Sequence, residues 1–128
     1  MFTYIMVSII HIIGQYLAQN VPLSKGPVIL CEAAVAAVTG LDGSGFSGLP
    51  LVGSTAATFA NALPIQKESL AALGQIITIW VGGGTLIPWA VIPVAAIAGV
   101  NPSDLVRKNA VAVFAGLAAL LIAAFFLL

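Results

Sequence analysis

Apolar runs of two lengths, separated by short polar interruptions, make up the chain. The first, Phe2 to Ala18, is closed by the polar pair Gln19-Asn20 and by Pro22. A helix rises about 1.5 Å per residue and about 20 residues cross a bilayer, so this run can cross once. No Lys or Arg precedes it, so it reads as a membrane segment rather than a cleaved leader. The second run, Pro27 to Thr39, starts with proline in a favourable first-turn position and stops at Gly40. Its roughly 13 residues reach only about 20 Å, short of a hydrocarbon core of about 30 Å. A third run, Leu51 to Leu63, is as short and ends at Pro64.

Between these two short runs lies a stretch, Gly40 to Ser54, with five glycines, three serines, Pro50 and Asp42. Glycine is conformationally permissive and proline lacks an N–H donor, so the pattern predicts irregular backbone from Asp42 to Pro50. Two half-length helices around such a tip form either a re-entrant hairpin or one discontinuous helix that crosses. Both put Asp42 and Ser44 near the middle of a membrane, where irregular backbone is tolerated only under protein cover or along a watery cavity. Ile65 to Ser69 reads as a polar connection. Leu70 to Val100, about 31 residues, is too long for one straight crossing and is interrupted by Gly82-Gly83-Gly84, with Pro88 and Pro93 beyond. Asn101 to Lys108 reads as a polar loop and Asn109 to Leu128 as a final apolar helix without a charge.

The pattern therefore predicts an all-α integral membrane protein, residues 1–128 forming a single transmembrane domain. It has about three to four membrane elements, among them a short-helix hairpin or discontinuous helix and a second glycine-broken helix. A hairpin sets Lys25 and Lys67 opposite Arg107 and Lys108, whereas a discontinuous crossing groups Lys25 with Arg107 and Lys108 against Lys67. The excess of cations expected on one side favours the discontinuous crossing by a narrow margin.

Composition agrees with a membrane setting. Hydrophobic residues make up 61% and charged residues 6%, with a mean hydropathy of +1.16, where soluble domains carry about 25% charged residues. Four basic and four acidic side chains balance to zero, so no basic field exists to attract nucleic acid. Cys31 has no cysteine to pair with and no metal-ligating neighbour at a useful spacing, and reads as a small apolar residue. No phosphate-binding loop, metal-ligand cluster or nucleophilic triad is present, so neither an enzyme nor a cofactor is expected. About four crossings are few for a complete alternating-access carrier. The chain is read as one half or one subunit of a larger transporter, partnered by a second copy or another membrane protein.

Two interrupted apolar segments point to a transport site, because half-helix ends expose unpaired N–H and C=O groups to a ligand. Asp42 stands at the first interruption beside Ser44 and Ser47 and is the first choice for a coupling carboxylate, with H+ or Na+ as the ion. Glu32 is the second choice, lying five residues past Pro27, about 7.5 Å deep, where its side chain could reach the interface. The uncharged polar groups that could line a site are Ser44, Ser47, Ser54, Thr55, Thr58, Asn61, Thr78 and Thr85, together with the backbone of Gly82, Gly83 and Gly84. His11 and Gln15, spaced i, i+4 on one helical face, read as a pair bonding to a neighbouring helix.

The sequence Gly82-Gly-Gly-Thr-Leu-Ile-Pro-Trp-Ala-Val-Ile-Pro-Val-Ala-Ala-Ile-Ala-Gly-Val-Asn-Pro-Ser-Asp-Leu-Val-Arg-Lys-Asn109, followed by a terminal apolar helix, resembles the C-terminal end of bacterial ion-transporter-superfamily carriers of the gluconate, lactate and dicarboxylate permease kind. The likeness covers roughly half the chain. It implies a helical hairpin over residues 28–63 and a broken helix over 70–99 forming half of a site for a small organic anion, in a bacterial or archaeal cell membrane. Those carriers are several times longer and contain two inverted halves, so a partner chain or a second copy would have to supply the rest. The competing expectation is a small oligomeric channel, or an accessory or structural subunit of a membrane complex, whose glycine breaks line a pore or a docking face.

Overall fold

A computed structural model describes residues 2–43, 45–83, 86 and 88–128, with side chains at all of these except 2–4, 6, 7, 10, 11, 18 and 88–90. Six helices follow one another: α1 (Phe2–Asn20), α2 (Lys25–Gly40), α3 (Leu49–Ala62), α4 (Lys67–Gly82), α5 (Pro88–Ala98) and α6 (Pro102–Leu127). Among the described residues there is no strand, and one helix, α6, is long and apolar enough to cross a membrane.

Several boundaries differ from those read off the sequence, each for a local reason. The helix expected from Asn109 begins at Pro102, so the segment read as a polar loop is the first two turns of α6. The Asn101 side chain accepts a hydrogen bond from Ser103 N at 3.0 Å, and proline follows in the first turn, where its missing N–H has no helical partner to lose. Likewise α4 starts inside the expected connection, at Lys67, with Glu68 in its first turn where a negative charge suits the helix dipole. Pro50 sits in the first turn of α3, so the irregular backbone, described at residues 41–43 and 45–48, stops before it.

α2 and α3 run antiparallel, as a hairpin. The Thr55 hydroxyl donates to Glu32 Oε2 at 2.7 Å, although a crossing through residues 32 and 55 would hold them roughly 20 Å apart or more. At the neck of the hairpin, a Cβ on Gly48 would overlap the Thr39 side chain. The discontinuous crossing favoured by charge counting is thus not the arrangement found. Four cations distributed two and two or three and one are too weak a signal against the packing of two small-residue helix faces.

α2 and α4 run parallel with matched register. Glu32 Oε1 lies against Gly74, Thr78 Oγ1 donates to Ala36 O at 3.2 Å, and Gly40 packs on Val81 and Gly82. A Cβ on Gly40 would lie 2.8 Å from Thr78 O, so the two backbones are nearly in contact. Small residues at the interface and hydroxyl-to-carbonyl bonds are how helices associate in an apolar solvent, where no hydrophobic force draws them together. Around these contacts Val28, Ile29, Val52, Phe59, Leu70, Leu73 and Ile77 fill the core. α1 lies on α3, its Gly14 facing Ser54 and Thr58.

α6 runs antiparallel to α4 and serves as a ruler for the rest. Gly116 sits under the Trp80 ring, and the groove further along is lined by Ser69, Ala72, Leu73 and Ile76 of α4 and by Leu120 to Leu128 of α6. Gly26, at the start of α2, faces the Phe125 ring near the end of α6. Extending this register sets Gly82 beside about position 114, the middle of the 26-residue α6. α5, 11 residues long, folds back along the first half of α6 through a turn at Gly99, whose φ of 65° suits glycine.

Candidate functional site

Two chain interruptions meet at the mid-height of α6. The first is the hairpin tip, where Gly43 and Gly45 take left-handed φ values of 83° and 69° and turn the chain between α2 and α3. The second follows Gly82 at the end of α4. A Cβ on Gly82 would overlap Gly40 O and lie 2.8 Å from Gly45 N, and a Cβ on Gly45 would lie 3.2 Å from Gly83 N. Backbone therefore touches backbone where the two interruptions cross. The C-terminal ends of α2 and α4 finish here and the N-terminal end of α3 starts here. α5 begins five residues after Gly83 and, lying along the first half of α6, begins at about the same height. The carbonyl-rich ends of α2 and α4 and the N–H-rich end of α3 are thus gathered in one place, the former suited to cations and the latter to anions.

Asp42 and Ser47 lie at the tip, and the Ser47 hydroxyl donates to Asp42 Oδ2 across the turn. Both are exposed on the surface of the chain, as are the neighbouring Leu41 and Phe46. Gly82 is buried and Gly83 exposed. Ser44, Gly84 and Thr85 lie outside the described residues. The remaining polar positions on α3 are elsewhere. Ser54 and Thr58 face α1, with Thr58 Oγ1 donating to Ser54 O at 2.8 Å, and Asn61 is exposed at the far end of α3, about 20 Å from the tip. Thr78 is buried in the α2–α4 contact. The His11 side chain falls outside the described ones, and Cys31 is a half-buried free thiol.

Glu32 occupies a second position, about 12 Å along α2 from Gly40. Its side chain does not reach for an interface, as its depth in the sequence allowed; it is wholly buried between α3 and α4. Thr55 holds Oε2, while Oε1 has no hydrogen-bond partner and points at Gly74, where a Cβ would lie 2.7 Å from it. Gly74 was not among the residues singled out from the sequence. An isolated glycine within a helical run was the available signal, because such a glycine usually has a packing reason. Among the described residues no group of three His, Cys, Asp or Glu side chains could hold a metal ion.

No protein-family model matches the chain, and no solved structure matches it. The chain is 49% identical over 120 residues to a Bacillus subtilis (strain 168) protein described as the uncharacterized membrane protein YhfA. The match takes in 94% of this chain and 26% of that protein, so the chain spans about a quarter of the length of the curated relative it matches.

Proposed function

We propose that this chain is part of a secondary carrier that couples the uptake or exchange of a small organic anion to H+ or Na+, in the cell membrane of a bacterium or archaeon. The observation that carries the reading is the backbone contact of Gly82 with Gly40 and Gly45, which brings the hairpin tip and the end of α4 together. Facing breaks let one ligand meet the N-terminal end of α3 and the C-terminal ends of α2 and α4 without any fixed basic residue. In this reading α1 crosses, α2 and α3 re-enter from the Lys25 and Lys67 side, α4 and α5 together form a broken crossing, and α6 returns. The breaks then fall at the membrane middle. α6 offers lipid an apolar face in Val111, Phe114, Ile122 and Phe126, all exposed. Similarity to a quarter of a longer membrane protein fits a chain whose site is completed by further membrane helices, supplied by a second subunit or a second copy.

Proteoliposomes holding the protein in its complete assembly test this. Under an imposed proton or sodium gradient, a panel of small mono- and dicarboxylates should include one whose uptake saturates and accumulates above equilibrium. Flux that rises linearly with concentration and ignores the gradient would identify a channel instead.

A further inference from the structure

We infer that Glu32 is a proton-binding site and that its occupancy controls the α2–α4 contact on which both chain breaks are mounted. Its coupling role rests on the carrier reading; its proton binding does not. Four observations meet at this side chain. It is wholly buried, its Oε1 has no hydrogen-bond partner, its Oε2 receives the Thr55 hydroxyl at 2.7 Å, and Gly74 leaves room for the carboxyl to lie against α4.

The surroundings favour a proton over a metal cation. A hard cation in a dry site needs several oxygen ligands, whereas this carboxyl is met by one hydroxyl and by the carbon surfaces of Val52 and Gly74. Thr55 can serve both states of an acid. When Glu32 is ionised, the single Thr55 proton goes to Oε2. When Glu32 takes up a proton, the acid O–H donates to Thr55 Oγ1, and the Thr55 proton turns to Val52 O at 3.0 Å or Leu51 O at 3.1 Å. One proton enters and every hydroxyl keeps a partner.

Among the described side chains, no charge on the packed elements answers an ionised Glu32. α3 carries no titratable side chain, α4 carries only Lys67 and Glu68 in its first turn, and α6 carries Asp104, Arg107 and Lys108 in its opposite half. α1 carries Tyr4, His11 and Tyr16, of which Tyr16 is exposed and the side chains of Tyr4 and His11 lie outside the described ones, and the nearest titratable neighbour on α2 is the thiol of Cys31. A buried charge without a partner is expensive, so the ionised state gains by parting α2 from α4 at Gly74 and admitting water, while the neutral acid lets the helices close. Gly40 and Gly82 lie two turns further along the same pair of helices. The proton therefore biases an open and a closed arrangement of the junction itself.

Infrared difference spectroscopy on the full assembly in liposomes, recorded through a pH titration, gives the direct test. A protonated-carboxyl C=O band should disappear as pH rises and be missing from Glu32→Gln at every pH. Thr55→Val should shift the frequency of the band because the acid loses its hydroxyl partner, and Thr55→Ser should restore it. A titrating band unchanged in Glu32→Gln, or no titrating carboxyl band at all, overturns the proposal. In uptake driven by a proton gradient, Glu32→Gln should lose about tenfold or more while retaining exchange without a gradient. Wild-type uptake by Glu32→Gln overturns the control of the junction. A titrating Glu32 band in an assembly that transports none of the carboxylates overturns the carrier reading and leaves the proton site standing.

Discussion

Gly74→Val is expected to cost about 3 kcal/mol or more of stability. A Cβ at position 74 would overlap Val52 Cγ1 and lie 2.7 Å from Glu32 Oε1, so both α3 and the buried carboxyl stand in its way. Overfilling a packed interior costs about 1–3 kcal/mol, and displacing a buried acid from its hydroxyl adds about 1–3 kcal/mol. Val52→Ala in the same chain should recover part of the loss by removing one of the two obstacles. The comparison is Gly53→Ala on the adjacent helix, where an added Cβ meets nothing within 4 Å and helix propensity improves by up to about 1 kcal/mol. Reversible unfolding in detergent or bilayers, read for the three variants, checks the order. Equal stability of Gly74→Val and wild type would mean that α2, α3 and α4 do not meet at Gly74.

Gly82→Leu should abolish gradient-driven transport, by about a hundredfold or more, while α6 still inserts and the chain still accumulates in the membrane. The obstacle at this position is backbone on both sides, Gly40 O and Gly45 N, and backbone cannot rotate out of the way as a side chain can. The hairpin tip must therefore move off the end of α4. Displacing a binding group by about 1 Å can cost about a hundredfold in activity even when the fold survives. Uptake into proteoliposomes, normalised to inserted protein, measures the effect. Uptake at the wild-type rate would show that contact between the two breaks is not needed.

The interruptions themselves were legible in the sequence because glycine and proline act locally. Gly40 ends α2, Pro50 opens α3 and Gly82 ends α4, each near the position that residue chemistry implies. The start of α6 was equally local and was still misread. Asn101-Pro102-Ser103-Asp104 is polar because it is a helix start, with an N-cap, a first-turn proline and an acid near the positive end of the dipole. What sequence could not supply was the partner across space. Asp42 ranked above Glu32 because it lies nearer the break in the chain, yet its carboxyl is occupied within its own turn by Ser47 and faces outward. Glu32 looked shallow enough to reach an interface until α4 was laid beside it with Gly74 opposite. That pairing joins residues forty-odd positions apart through parallel packing of two helices, and no local propensity encodes it. The same holds for the hairpin, where the Thr55–Glu32 bond decided a question that four distributed cations could not.

The central claim is that the two breaks meet at half the height of α6, and distances between paired spin labels test it without reference to any substrate. With Cys31→Ser as background, one label is placed at Phe46 on the exposed tip and the other at Asp104 or at Leu127, near the two ends of α6. Those ends are about 35 Å apart along the helix, so a tip at mid-height should lie about 20–25 Å from each. Nearly equal distances of that size are the expected result. A distance below about 15 Å to one end and above about 30 Å to the other would place the tip at a membrane surface and contradict the account.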